Sequence, residues 1–320
     1  MSTSTSPDLA PDTAPPTETD PVLNPAIDRS LDKTRLVENL PFWAVHAVAA
    51  WGVWKVGFST AGWIWLAVTY FVHMHAITGW YHRYFSHRTF KTSRAFGFLW
   101  ALIGVTSVQK GPLWWAHHHR HHHKYSDQPE DIHSPRLRGF WWSHMFWILA
   151  KRYRNTDLER IKDFARYPEL RWLDRYELVV VVAYAAVLYL VGGSVALFWG
   201  FFLSTVVSWH CTFFINSLAH VIGRRRYATT DDSKNSWLLA VLTLGEGWHN
   251  NHHYYQRATN QGFYWWEIDV SYYLLRLFQA VGLVWDVHPV PRHVRDQHAS
   301  DGRARLAGAA PGAAVTEPTR

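Results

Sequence analysis

Residues 178–215 read LVVVVAYAAVLYLVGGSVALFWGFFLSTVVSWHCTFFI, an apolar run without one Asp, Glu, Lys or Arg. The run is too long for a single bilayer crossing, which takes about 20 apolar residues, and its break is Gly192-Gly193-Ser194. Read as a hairpin, it gives two spans, about Leu178 to Val191 and Val195 to Ile215. A second apolar pair lies upstream, about Phe42 to Phe58 and Gly62 to Thr78, joined by Ser59-Thr60-Ala61. Arg and Lys crowd the long segment between the hairpins, and the positive-inside rule places that segment in the cytoplasm. Phe96 to Val108 is apolar but too short to span, and suits an interfacial or re-entrant helix. The expected fold is an all-α, multi-pass integral membrane protein, with four transmembrane helices in two hairpins and a cytoplasmic helical domain. That domain organisation covers residues 36–288. Residues 1–35, rich in Ser, Thr, Pro and Asp, and 289–320, mixing Arg, Ala, Gly and Pro without periodicity, read as disordered tails. No basic start followed by an apolar core marks a signal peptide. Both tails fall on the cytoplasmic side, which in a bacterium makes the cell membrane the expected location.

Composition narrows the function. One Cys in 320 residues excludes a disulfide-stapled domain, and Cys211, set in an apolar run, reads as an inert buried thiol. The net charge of +7 and the run Arg224-Arg225-Arg226 suit anionic lipid or a phosphorylated ligand, so nucleic acid is not an expected partner. No Gly-rich phosphate loop of Rossmann or Walker type occurs, and a nucleotide redox cofactor within the chain is not expected.

The chemistry is carried by histidine, of which there are 21. In HRHHH, His119, His122 and His123 stand at i, i+3 and i+4, a single helix face able to converge on one centre. In HNNHH, His249, His252 and His253 repeat those offsets. Asn216 and His220, in NSLAH, sit at i and i+4 where the fourth span emerges. In HRYFSH, His82 and His87 are five apart, which a continuous α-helix splays; the first is expected to end the second span and the second to begin a loop. His46 and His73, alone on apolar faces, read as satisfied interface residues. Neutral imidazole suits zinc, copper, iron and nickel, whereas magnesium and calcium want oxygen. HExxH is absent, and nine candidate histidines are too many for one tetrahedral site, so two metals fit better. Soluble di-iron bundles use Glu with ExxH pairs; the single match, Glu246 with His249, is flanked by Gly245 and Gly247 and reads as accidental.

HRYFSH, HRHHH and HNNHH, in that order around two apolar hairpins, resemble the three histidine boxes of the membrane fatty-acid desaturase family, specifically its delta-9 acyl-CoA (stearoyl-CoA type) branch. The likeness extends through WWAHHHRHHHKYSDQPEDIHSPRLRGFWWSH and GEGWHNNHH, and covers roughly Leu40 to Trp285. It implies two Fe ions held by His82, His87, His119, His122, His123, His220, His249, His252 and His253, with Asn216 reaching iron through water. His117, His118 and His121 match no ligand position, and His118 stands where relatives commonly carry an acidic residue. A narrow bent tunnel for the acyl chain is implied, with Trp115 and Thr212 at the bend, Tyr70 and Met74 at the floor, and Lys151 and Arg152 near the phosphates of coenzyme A. Met74 is bulky where relatives often have a small residue, which implies a chain shorter than stearoyl.

The resemblance further implies oxygen-dependent desaturation of a saturated fatty acyl-CoA, or of an acyl-lipid, giving a cis monounsaturated product and water. Acid–base chemistry cannot break unactivated methylene C–H bonds, so oxygen activated on iron has to supply the oxidant. No haem-ligating HPGG motif is present, and a separate electron donor is expected: a ferredoxin, cytochrome b5 or reductase. Two rivals stand beside this reading. One is a histidine-box hydroxylase of lipid or alkane. The other is a histidine-rich membrane metal-binding protein or transporter, which would place ionisable groups in spans that are largely apolar apart from His46, Lys55, His73 and His75.

Overall fold

A computed structural model describes residues 32–35 and 37–297, so 1–31 and 298–320 of the expected tails lie outside the described residues. Residues 289–297, placed by the sequence in the second tail, are among the described ones. Val290 N–H donates to Asn260 Oδ1 at 2.9 Å and the Arg295 carbonyl accepts from the Tyr227 hydroxyl at 2.6 Å, so side-chain partners hold the backbone as far as this point.

The chain is mostly helical. Helix α1 spans Leu40–Val56 with Pro41 in its first turn, where the missing N–H costs nothing. Helix α2 spans Thr60–His75; Ser59 Oγ caps it by accepting from Gly62 N–H at 3.1 Å, so the turn falls on Gly57-Phe58-Ser59, slightly earlier than the sequence suggested. Without a break α2 becomes a π-helix over Ala76–Ser86. Then come α3 (Arg94–Thr106), α4 (Pro112–Tyr125), α5 (Glu177–Val195), a second π-helical stretch Ala196–Leu203, α6 (Ser204–Asn216) and α7 (His249–Tyr254). Among the described residues the only sheet is a two-residue antiparallel ladder, Lys91–Thr92 with Val284–Trp285.

One continuous stretch, Glu177–Val221, is long and apolar enough to cross a membrane. It is not straight. Gly193 adopts φ +63° and ψ −154°, a non-helical conformation open to glycine, and Tyr184 on one side packs against Phe201 on the other at 6.0 Å. Residues that far apart on a straight helix would be about 25 Å from each other, so the chain doubles back at Gly193. Helix α1 runs against the returning arm, with Phe42 stacked on Trp209 at 5.0 Å and Trp51 edge-to-face with Phe198 at 5.6 Å. Helix α2 runs alongside it, with Trp63 on Trp199 at 4.9 Å and Met74 clustered with buried Cys211. The outward faces stay apolar and uncovered: Trp54, Phe58, Leu178, Val182, Leu190 and Val191 are all exposed, Leu190 at 81%. A soluble monomer rarely leaves so broad a patch open to water.

Helix α3, the short apolar stretch, lies against the π-helix: Trp100 stacks on Trp80 at 5.3 Å, and Ala101, Gly104 and Val105 are buried. The Arg224-Arg225-Arg226 run is not a free basic face. Arg226 pairs with Glu267, and Arg225 donates to the Thr229 carbonyl at 2.6 Å.

Candidate metal centre

The first histidine pair owes its geometry to the π-helix. At 3.6 residues per turn, positions five apart point about 140° away from each other. Here His87 N–H donates to the His82 carbonyl at 3.1 Å, an i→i+5 bond that widens the turn and brings the two rings to 4.8 Å. His82 therefore lies within the helix and His87 caps it, instead of the span end and loop start expected.

The other boxes divide where the sequence suggested convergence. His82, His87, His119, His123 and His252 form a first cluster, and His122, His220, His249 and His253 a second; within each, the ligand atoms lie within 4.8 Å of one another. On a helix i and i+4 differ by about 40° while i+3 and i+4 differ by about 100°. His119 and His123 of α4 thus face the first cluster and His122 the second. Helix α7 does the reverse: His249 and His253 face the second and His252 the first. The clusters adjoin, with the His123 and His253 rings 4.4 Å apart.

The second and third boxes each have an anchor. Asp174 Oδ1 accepts the N–H groups of Leu113 (3.1 Å) and Trp114 (2.9 Å) at the start of α4. The two Asn residues of HNNHH pin α7: Asn250 Oδ1 accepts from Arg226 and Tyr227 N–H, both at 2.8 Å, and Asn251 Nδ2 donates to Glu267 at 2.9 Å.

The donor chemistry fits cations. Four Nδ1 atoms meet buried carboxylates: His122 on Asp131 at 2.9 Å, His220 on Asp127 at 3.2 Å, His253 on Asp231 at 2.6 Å, and His82 on Glu246. An imidazole that donates from Nδ1 presents a lone pair at Nε2. Those lone pairs face inward onto other nitrogens: His82 and His252 Nε2 are 2.9 Å apart, and so are His252 and His123. His220 and His249 Nε2 are 3.1 Å apart, while His122 and His253 Nε2 are buried without a protein partner. Two nitrogens each about 2.1 Å from one ion at a right angle would stand about 3 Å apart. These nine histidines can hold two metal ions.

Electrostatics agree. Burial lowers His87, His119, His123, His249 and His252 well below the usual imidazole range, and His253 to about 4. Burial alone would raise Asp127, Asp131, Asp231 and Glu246, but their histidine partners hold all four below the usual carboxylate range. In the metal-free chain, unfolded imidazoles take up protons below about pH 6.5. Folded His253 does so only near 4, and the other lowered imidazoles only well below their usual range, so the unfolded state binds more protons in between and stability falls as the pH drops below about 6.5. Burial opposes but Asp131 outweighs it at His122, which shifts upward and acts in the opposite sense to the other shifted histidines of the clusters. Thermal unfolding of metal-free protein is expected to show a flat Tm above pH 7 and a falling Tm from 6.5 to 4; a Tm rising on acidification there would contradict the assignment.

Beside the clusters lies a cavity of about 610 Å³, walled by α1, α4, α5 and α6. Trp115, His119, His133, Thr212 and Asn216 line both it and a smaller inner cavity of about 30 Å³, which continues to Met74, His82, His122 and His249. Trp115 and Thr212 thus stand at the junction, and Met74 at the inner end. Tyr70 lies beyond Met74, its hydroxyl donating to the Leu242 carbonyl. Lys151 and Arg152 do not line the cavity: Lys151 is exposed, and Arg152 is buried against Asp32 at 3.0 Å. The basic residues at its outer end are Lys110 and Arg154, each in an ion pair, with Glu177 and Glu38 respectively, both at 2.8 Å.

Residues 58–281 match the family model for fatty acid desaturase. The chain belongs to the fatty acid desaturase family. It is 38% identical to the sn-2 palmitoyl-lipid 9-desaturase of Nostoc sp. (strain 36), over 79% of this chain and 90% of the relative. It is 36% identical to the sn-1 stearoyl-lipid 9-desaturase of Anabaena variabilis (78% and 93%) and 34% identical to the acyl-CoA 5-desaturase AL21 of Anemone leveillei (84% and 88%). Fatty acid desaturases are membrane-associated oxidoreductases of lipid metabolism, and the histidine clusters suit the family's iron chemistry.

Within this desaturase frame the bystanders separate cleanly. His118 Nδ1 meets the Trp114 carbonyl at 2.9 Å, His121 Nε2 the Glu130 carbonyl at 2.8 Å, and His117 Nδ1 accepts from Asp157 N–H at 3.4 Å. His46 pairs with His210 at 3.1 Å and His73 with Thr106 at 3.1 Å, as interface residues do. Sequence reasoning missed the carboxylates. Glu246 is no accident: it sits between His82 and buried Arg83, whose guanidinium also reaches Asp269 at 2.9 Å. Asp127 and Asp131 were signalled only by their closeness to HRHHH, and Asp231 by nothing local. His133 was missed too; its ring stacks on His122 at 4.1 Å and it lines both cavities.

Proposed function

We propose that the chain is an oxygen-dependent delta-9 fatty-acyl desaturase that carries two iron ions on the nine clustered histidines, with Asn216 beside the second cluster. The observation that carries this reading is an apolar cavity whose walls are shared with both clusters. When bound, the iron pair supplies the oxidant drawn from O2. The residues of the chain do the rest: the apolar walls keep water away, and Trp115 and Thr212 fix which carbons of the acyl chain lie against His119 and Asn216. Two adjacent carbons each lose one hydrogen, a cis double bond forms, and oxygen leaves as water with electrons from a separate donor. In this reading α1, α2 and the two arms meeting at Gly193 are four membrane crossings, and the clusters face the cytoplasm. The exposed apolar belt on those helices supports it.

The cavity mouth supports a membrane lipid as acyl carrier over coenzyme A. Phosphates need uncompensated cations, and Lys110 and Arg154 are both matched by carboxylates. The cavity also reaches Leu178 and Val182, exposed on the outer face of α5. Names of the two lipid 9-desaturases agree with this carrier. Expression in a host lacking desaturases, followed by fatty-acid profiling, should reveal a new cis double bond; its absence would overturn the proposal. Purified protein given the same acyl group as lipid vesicles or as acyl-CoA decides the carrier, and iron analysis near two per chain separates the enzyme from a casual metal binder.

Met74 closes the inner cavity and is 1% exposed. Met74→Ala is expected to shift the product profile toward longer chains, since the truncation lengthens the apolar cavity. An unchanged chain-length distribution would remove Met74 from the floor.

A further inference from the structure

The two clusters differ in their access to water. All four histidines of the second are fully buried, whereas His87, His119 and His123 of the first are only half-buried. His119 faces the acyl cavity. His87 and His123 instead line a separate cavity of about 330 Å³ that opens to solvent. The first cluster therefore stands between an apolar space and a wet one.

The wet cavity is rimmed by Arg120, Lys124 and Arg257. Arg120 is matched by Asp163 at 2.8 Å, and that carboxylate also faces exposed Arg88 at 3.7 Å. Lys124 and Arg257 are exposed, and among the described residues neither forms an ion pair. Arg88, Arg120, Lys124 and Arg257 against one Asp leave a positive collar around the half-buried imidazoles, in a chain whose net charge is +7. A collar of this kind steers an acidic partner and fixes its register more than it holds it.

We propose that this collar is the docking surface for a small acidic one-electron carrier protein, whose redox group is brought over His87 and His123. The inference rests on the desaturase reading above. R–CH2–CH2–R′ + O2 + 2 e− + 2 H+ gives R–CH=CH–R′ + 2 H2O, so O2 is reduced and the carrier is oxidised twice per double bond. His87 and His123 are the cluster side chains nearest to solvent in this cavity, and the fully buried second cluster offers no such approach.

The test uses an acidic ferredoxin and the full-length, iron-loaded protein in detergent. Binding is expected to weaken about tenfold or more between about 20 and 200 mM salt. The double variant Lys124→Glu/Arg257→Glu is expected to weaken it at least as much at low salt, and to raise the KM for ferredoxin in step, with iron content unchanged. Arg171→Glu/Arg276→Glu, an equal charge change on exposed residues elsewhere, controls for bulk charge. Wild-type Kd and KM in the first pair, or an equal loss in the control pair, overturns the docking surface. Salt-sensitive, collar-dependent binding by a protein that makes no double bond would support the surface and sink the desaturase reading instead.

Discussion

His122→Ala is expected to abolish double-bond formation and to weaken metal binding at the second cluster by about 100-fold or more. Replacing a carboxylate behind a metal-binding histidine already costs roughly 10- to 100-fold, so deleting the imidazole should exceed that. His122 Nε2 points into the cluster with no protein partner, and its Nδ1 is held at 2.9 Å by buried Asp131. The alanine variant would leave three imidazoles and a stranded carboxylate. Metal analysis and fatty-acid profiles in a desaturase-free host read out both effects. His118→Ala, four residues away in the same tract, is expected to change neither, because His118 is turned toward the Trp114 carbonyl. Full product from the His122 variant, or loss of product from the His118 variant, would undo the division of the tract.

Gly247→Ala is expected to destabilise the fold by about 3 kcal/mol or more and to release metal, although position 247 bears no ligand. A Cβ there would lie 2.0 Å from the Ala240 backbone nitrogen and 2.5 Å from the Ser236 carbonyl oxygen. Both are backbone, so no side chain can swing aside. The close approach is fixed by Ser236 N–H, which donates to the Gly247 carbonyl at 2.8 Å, and it sets where α7 begins. Any shift would carry His249, His252 and His253 with it, out of both clusters at once. Thermal unfolding of the metal-free variant against wild type separates the packing term from metal loss; an unchanged Tm with full iron content would contradict the account.

Much of this was decided by the sequence alone. Apolar runs of spanning length broken at Gly192-Gly193 mark helices that fold back on themselves, because periodicity and glycine conformation are local properties. Helical offsets and position after an apolar run mark candidate histidines without a fold, but His118, His121 and His122 share the offsets of His119, His122 and His123, and the nine were singled out from 21 by the resemblance to the histidine boxes. Only the tertiary structure decided how they are shared. The His122 and His123 directions differ by about 100° on one helix, and that angle becomes a division between two centres only when α7 packs opposite with its own offsets reversed. The π-turn that gathers His82 and His87 leaves no mark in residue type, because it is a hydrogen-bond shift and not a propensity. Asp231 and Glu246 reach their histidines across the fold, and of the two basic residues expected near the phosphates of a carrier, Arg152 proved to be buried against Asp32 while Lys151 is exposed away from the cavity. Charge partners separated by scores of residues are chosen by packing, and packing is the part of the argument that spacing along a chain cannot supply.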